Sequence, residues 1–254
     1  MKVIILAGGL GTRLSEETLL KPKPMVEIGG FPILWHIMKI YSFYGFNEFV
    51  IALGYKGDII KEYFLNYSDR YSDLTIDVKN NRVIKHQKAK EDWIVSLIST
   101  GSDSLTGKRI KKSMDFIGKE RALMTYGDGL SNVNLKELLD FHISQKKLAT
   151  LTAVRPSARF GELSFSDNLI DRFKEKPQAG EGWINGGFFV LEPEILNYIN
   201  DNEAFERGPL EKISSEGQLV GYKHKDFWHS MDAIRDKNFL QELWDQNKAP
   251  WKIW

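Results

Sequence analysis

The sequence predicts an α/β fold: a mixed, mostly parallel doubly wound sheet with helices on both faces and a small strand-rich insertion. Three observations predict it. Short β-branched runs alternate with amphipathic stretches through the first half of the chain. The first of them, "KVIILA", is apolar on consecutive residues, as a strand covered on both faces must be. A glycine-rich turn follows it directly, beyond a strand's carboxyl end, where open α/β sheets bind ligands.

The elements follow in order. After "KVIILA", "PILWHIMKIYSFYG" predicts a helix, with proline at its start and Gly45 just past its end. "EFVIALG" is a second strand and "KGDIIKEYFLNY" a second helix, which completes a strand–helix–strand–helix series. "LTIDVKNNRVIKHQ" predicts a hairpin around Asn80-Asn81, and "DWIVSLIST" another strand. "ALMTYGDG" is a strand ending in a turn, followed by the helix "NLKELLDFHISQKK" and the strand "LATLTAVRP". The pattern then becomes strand-rich ("FGELSF", "NLIDRF", "WINGGFFVL") and closes with helical stretches and a tryptophan-rich end, "LWDQNKAPWKIW". No internal repeat, low-complexity tract or Pro/Gly/Ser linker divides the chain, so a single domain over 1–254 is expected.

Composition narrows the function. The 35 basic and 34 acidic residues nearly cancel to a net charge of +1, which gives no global field for nucleic acid. An anionic ligand must be met by local cations. The absence of cysteine excludes disulfides, thiolate nucleophiles and cysteine–zinc sites, and fits a reducing compartment. The amino-terminal apolar run of about five residues is too short for a signal-peptide core, and no segment approaches the roughly 18 apolar residues of a membrane span. The expectation is a soluble cytoplasmic protein with no membrane partner.

The stretch "LAGGLGTRLSEETLLKPKP" concentrates the chemistry. Glycines without a Cβ let backbone N–H groups approach a phosphate. A phosphate-binding Walker loop is excluded because Thr12 and Arg13 follow the last glycine, and the dinucleotide fingerprint because Leu14 stands where its third glycine belongs. An ordinary βα turn is the plain alternative. Pro22 and Pro24 favour the functional one: they push Lys21 and Lys23 into extended geometry, outside any helix, with their side chains diverging so that one faces the loop. Such a fixed ammonium suits a phosphate whose charge grows during reaction.

Other segments offer partners. Asp128, between two glycines at the end of "LMTYGDG", suits a metal-bound site or a plain Asp-Gly turn. Asp232 precedes the helix "AIRDKNFLQELW" and fits a helix cap or a ligand equally. Lys176 is fixed before Pro177 and preceded by Glu175, with a surface turn as the alternative. Asn185 and Gly186 stand in "WINGGFFV", where glycines weaken a strand unless something approaches the backbone closely. The five histidines do not form metal-ligand spacing; His36 and His142 fall within helices as packed or exposed residues.

These segments together resemble the sugar-1-phosphate nucleotidylyltransferases. "LAGGLGTRLSEETLLKPKPMVEIGGFPILWHIM" matches that family's amino-terminal signature, and "GYKGDIIKEYF", "TGKRI", "TYGDG", "EKP", "INGGFFVL", "FWHSMD" and "KAPWK" follow in the order of its cytidylyltransferase branch. The resemblance implies a Rossmann-like nucleotidyltransferase fold with a sugar-binding insertion, with a nucleotide-binding part over about 1–130 and a sugar-binding and C-terminal part over about 131–254. It implies Mg²⁺-dependent transfer from CTP to α-D-glucose 1-phosphate, giving CDP-glucose and diphosphate for deoxysugars of surface polysaccharide (lipopolysaccharide O-antigen). It implies nucleotide contacts from Leu6, Ala7, Gly8, Gly9, Gly11, Thr12, Gly127, Thr106 and Arg109; an exposed arginine at a helix start is the alternative for Arg109. Arg13 would bind the β- and γ-phosphates, Lys23 the charge at the α-phosphorus, and Asp128 and Asp232 the Mg²⁺. Lys176 would orient the attacking phosphate, and Glu175, Asn185 and Gly186 would meet the sugar. A homo-oligomer is also implied, while the tryptophan-rich tail could dock on its own chain or a neighbour.

Three other readings remain open at this point. The same chemistry could use UTP, dTTP, GTP or another hexose 1-phosphate. A catalytically silent sugar-nucleotide sensor has no need of the charge-tuned set Arg13, Lys23, Asp128 and Asp232. A nicotinamide-dependent oxidoreductase is weakened by Leu14.

Overall fold

The computed structural model of the chain describes residues 1–9, 11, 14–86, 91–118, 120–156, 162–166, 169–174 and 182–254. Among them a seven-stranded sheet is formed by β1 (Val3–Ala7), β2 (Glu48–Leu53), β3 (Ile94–Ser99), β4 (Ala122–Tyr126), β5 (Ala149–Val154), β6 (Ile184–Leu191) and β7 (Leu219–His224). The spatial order is β7-β5-β6-β4-β1-β2-β3. Neighbours pair in parallel except β6, which is antiparallel to both β5 and β4. The exception has a topological cause. An antiparallel ribbon, Glu162–Ser166 with Leu169–Lys174, stands between β5 and β6 in the chain, where a parallel connection would need a crossover helix. That ribbon is the strand-rich insertion expected from the sequence.

The consecutive apolar residues of β1 fill two cores. Val3, Ile5 and Ala7 point to one, Ile4 and Leu6 to the other, because successive side chains alternate across a strand. Burying such side chains contributes about 2 kcal/mol each, so the strand that carries the glycine turn is firmly seated. The first core is closed by Leu34, Ile37 and Tyr41 of α1 (Ile33–Phe43), Ile60 of α2 (Gly57–Leu65), Leu138 of α4 (Leu135–Gln145) and Leu240 of α6 (Ile234–Asp245). The second is closed by Ile110 and Met114 of α3 (Thr106–Phe116) and by Leu210 and Ile213 of α5 (Pro209–Ser215). Helices therefore cover both faces. The hairpin around Asn80-Asn81 also forms, pairing Leu74–Asp77 with Arg82–Lys85. Among the described residues no helix is long and apolar enough to cross a membrane.

The tryptophan-rich end docks on its own chain. Trp251 is fully buried, stacks on Phe227 with ring centres 5.5 Å apart, and its Nε1 donates to His36 Nδ1 at 3.3 Å. The opposite ring nitrogen, His36 Nε2, lies 2.9 Å from the Ile28 carbonyl and donates to it. One neutral tautomer satisfies both neighbours, and burial holds the His36 pKa down at about 4. His36 and His142 are both packed residues, not exposed ones.

Candidate active site

The turn after β1 gives its three glycines different tasks. Gly8 is crowded by protein: a Cβ there would lie 2.2 Å from Arg109 NH1. Gly9 has open space where a Cβ would project, so ligand can come close. Gly11 has φ +65°, which side-chain-bearing residues rarely adopt, and its carbonyl accepts from Leu14 N at 2.9 Å and Thr18 Oγ1 at 3.1 Å. These bonds turn the chain into the short helix Ser15–Thr18. Thr12 and Arg13 lie outside the described residues.

Beyond that helix, Lys23 opens a single 3₁₀ turn, Lys23–Met25, closed by Met25 N to Pro22 O at 2.8 Å and Val26 N to Lys23 O at 3.1 Å. This corrects the expectation that neither lysine of "KPKP" is helical. Proline is tolerated in a first turn, where its missing N–H has no partner to lose, and Pro22, just before the turn, keeps the extended backbone. The lysines do diverge. Lys21 turns to Glu27, 3.7 Å away, and Lys23 turns into the cleft.

There Lys23 Nζ donates to Asp128 Oδ2 at 2.6 Å and to Asp232 Oδ1 at 2.8 Å. A small ribbon brings together carboxylates separated by more than a hundred residues: Gly129–Ser131 pairs antiparallel with Trp228–Ser230, and Met231 N bonds to Asp128 O at 2.9 Å. Gly127 lets the end of β4 close on β1, since a Cβ there would lie 2.8 Å from Leu6 O and 2.9 Å from Pro24 Cγ. Burial alone would lower the Lys23 pKa, but the two carboxylates outweigh it and the net shift is upward, so Lys23 is an ammonium. The capping alternative for Asp232 fails: Asp236 Oδ2 caps α6, accepting from Asp232 N at 3.0 Å and Ala233 N at 2.8 Å. The Asp232 carboxylate faces Lys23 and Ser230 Oγ instead.

Two carboxylates held this way form a hard oxygen donor set that fits a divalent cation. Among the described residues no third Asp, Glu or His joins them. That suits an ion which takes its remaining ligands from phosphate and water, as Mg²⁺ does in nucleotide sites.

Arg109 stands on the same cleft, 4% exposed, so the exposed alternative is excluded. Its NH1 donates to Leu53 O at 3.1 Å, Thr100 Oγ1 at 2.5 Å and Gly101 O at 3.0 Å. Its NH2 donates to Gly8 O at 2.9 Å and Ser102 O at 3.2 Å. The guanidinium ties the ends of β2 and β3 to the glycine turn, and burial lowers its pKa.

The cleft encloses about 380 Å³, and its walls include Leu6, Ala7, Gly8, Gly9, Gly11, Lys23, Thr106, Arg109, Gly127, Asp128 and Asp232, all singled out from the sequence. Sequence reasoning missed Tyr126 and Glu206. Glu206 Oε2 accepts from Thr106 Oγ1 and Oε1 from the Tyr126 hydroxyl, both at 2.6 Å, and Asn185 Nδ2 reaches Tyr126 Oη at 3.3 Å. A loop glutamate in "NEAFERGP" carries no local signal of this role. A Cβ at Gly186 would lie 2.8 Å from Val154 Cγ1 and 2.9 Å from Thr152 O, so the neighbouring strand itself requires glycine there. Glu175 and Lys176 lie outside the described residues.

A phosphate-approachable turn, an ammonium and a carboxylate pair in one cleft at the sheet's carboxyl end define a nucleotide-handling α/β enzyme, and the comparisons agree. Residues 2–232 match the family model described as nucleotidyl transferase, and the chain belongs to that family. It is 50% identical to the glucose-1-phosphate cytidylyltransferase of Salmonella typhi and 44% identical to a probable glucose-1-phosphate cytidylyltransferase of Bacillus subtilis (strain 168), with 100% of both chains covered in each case. Among solved structures, HddC from Yersinia pseudotuberculosis matches with a TM-score of 0.71 at 25% identity, covering 96% of this chain and 99% of that one. Enzymes of this family generally use a divalent metal.

Proposed function

We propose that the chain transfers a cytidylyl group from CTP to α-D-glucose 1-phosphate, giving CDP-glucose and diphosphate, with Mg²⁺ as the divalent ion. The observation that carries the reading is Lys23 held between Asp128 and Asp232 beside the open face of Gly9. Half-identity over the full length of cytidylyltransferases that use glucose 1-phosphate supports the choice of base and sugar.

In the reaction an oxygen of the sugar phosphate bonds to the α-phosphorus of CTP while the bond from that phosphorus to the β-phosphate bridge breaks and diphosphate leaves. The attacking group is already an anion at neutral pH, so no protein nucleophile or base is needed. Catalysis then rests on placement and on preorganised charge. Backbone at Gly8, Gly9 and Gly11 approaches the triphosphate, and Arg13 steadies the β- and γ-phosphates. Lys23 meets the charge that builds at the α-phosphorus. Arg109 shapes the nucleotide wall through the carbonyls it binds, and Lys176 orients the attacking phosphate. Asp128 and Asp232 hold the Mg²⁺, which supplies charge neutralisation at the phosphates. Residues to about 130 form the nucleotide-binding part, and about 131–254 the sugar-binding and C-terminal part, which also lends Asp232 to the metal. A homo-oligomer in the cytoplasm completes the reading.

Diphosphate release across a panel of CTP, UTP, dTTP and GTP against several hexose 1-phosphates tests this. CTP with glucose 1-phosphate is expected to be the fastest pair, with no release when the divalent ion is chelated. Silence across the whole panel would reject nucleotidyl transfer.

A further inference from the structure

We propose that Glu206 reads the hexose: its carboxylate, fixed by Thr106 and Tyr126, accepts hydrogen bonds from ring hydroxyls and sets sugar specificity. The proposal rests on the nucleotidyl-transfer reading above and names one more group that touches the substrate.

Three observations carry it. First, Glu206 is on the cleft wall and immobilised from two sides, by Thr106 Oγ1 at 2.6 Å and the Tyr126 hydroxyl at 2.6 Å. A carboxylate offers about four lone-pair directions, so the two tethers leave acceptor capacity open to a ligand. Thr106 is itself anchored, accepting from Phe205 N at 2.8 Å, so tether and carboxylate are joined through both of their chain segments. Loss of rotamer freedom on binding is thereby small.

Second, the charge is out of place for phosphate. Both substrates are anionic, and the other two cleft carboxylates, Asp128 and Asp232, are bridged by the Lys23 ammonium. The partners found for Glu206 are instead neutral hydroxyls. A carboxylate so placed repels phosphate and favours the part of the substrate that is neutral and rich in donors. The hexose presents four hydroxyl donors, against two ribose hydroxyls and one cytosine amino group on CTP.

Third, the network runs to the strand assigned to the sugar. Tyr126 ends β4 and Asn185 begins the antiparallel neighbour β6, on the side of β4 away from β1 and its glycine turn. Glu206, Tyr126 and Asn185 thus form one chain of polar groups at the β4–β6 end of the cleft. Burial and the nearby Glu206 charge raise the Tyr126 pKa, which keeps the phenol as the proton donor to the carboxylate.

The test is Glu206→Gln, which keeps shape and removes charge, assayed by steady-state kinetics with CTP and UTP and with the 1-phosphates of glucose, galactose and mannose. The expected result is a KM for glucose 1-phosphate raised roughly ten- to a hundredfold, as for one lost charge-assisted bond. The KM for CTP should stay within about threefold, and glucose should lose about tenfold of its advantage over its epimers. Tyr126→Phe, which removes one tether and leaves the carboxylate, should raise the glucose 1-phosphate KM by less. If Glu206→Gln does not fold, Glu206→Asp, which withdraws the charge by one methylene, should show the same selective rise. A raised KM for CTP with a weakened preference over UTP would place Glu206 on the base and overturn the assignment. Equal changes for both substrates with a lowered Tm would make it a structural tether, and no change would leave it no role. Each of these leaves nucleotidyl transfer by the parent intact, so the two readings fail separately.

Discussion

Lys23 and Arg109 stand on one cleft, both buried along most of their length and both expected, from the family resemblance, to meet the nucleotide. Their partners differ in kind. Lys23 faces two carboxylates at 2.6 and 2.8 Å, each able to exchange an ammonium for a metal ion or to release it toward phosphate. Arg109 spends NH1 and NH2 on a threonine hydroxyl and four backbone carbonyls from three segments. The difference teaches that a cation's chemistry is set by what it would have to let go. Releasing Lys23 leaves part-exposed carboxylates that a divalent ion can take. Releasing Arg109 undoes a clamp that ties Gly8, Leu53 and the Gly101–Ser102 turn together, although Leu53 O and Gly8 O keep Thr100 and Tyr55 N as donors.

A pair of variants breaks or sharpens this contrast. Lys23→Ala should lower kcat by roughly two to three orders of magnitude, as for loss of one preorganised charge-stabilising donor, with the unfolding midpoint little changed. Arg109→Met should do the reverse in emphasis, destabilising the fold by about 1–3 kcal/mol through loss of the hydrogen bonds that join three chain segments. Arg109→Lys should recover little, because an ammonium cannot reproduce the planar fork. Turnover and urea unfolding measured on both would contradict the contrast if Arg109→Met were as stable as the parent. A Lys23→Ala enzyme as fast as the parent would mean that Lys21, or neither lysine, carries the charge.

A smaller effect tests a third ionisable group, buried without any counter-charge. His36 has its pKa lowered from 6.5 to about 4, chiefly by burial. The unfolded chain therefore takes up this proton at higher pH than the folded one, and stability falls as pH drops from about 6.5 towards 4. Between pH 7.5 and 5 the loss is about 2 kcal/mol. Protonation would also set an N–H at Nδ1 against the Trp251 N–H that it now accepts, so the tail should loosen in the same window. His142, His224 and His229 are shifted the same way by burial, and His36→Gln isolates one share. Equal pH slopes for parent and variant would contradict the assignment.

The sheet was legible because its signals are local. Continuous apolar runs marked β1, β2 and β4, and proline and glycine bracketed α1. The divergence of Lys21 from Lys23 was legible for the same reason, since proline acts on its immediate neighbours. Residues brought together by topology were not. Asp128 and Asp232 meet only because two short strands pair across the chain, and from the sequence Asp232 looked equally like a cap until Asp236 was seen to fill that place. Glu206 had no local mark at all, and the destination of Trp251 depended on a partner 215 positions away. The 3₁₀ turn at Lys23 was missed because proline was read as excluding all helical geometry, when it excludes only helix interiors.

The central claim is that a nucleoside triphosphate lies along the turn after β1, with its charge gathered by Lys23 and a divalent ion at Asp128 and Asp232. A crystal structure of the chain with a non-hydrolysable CTP analogue and Mg²⁺ tests it most directly. The account predicts the phosphates against the open face of Gly9 and the ion on both aspartates; a nucleotide bound elsewhere, with that turn bare, would contradict it.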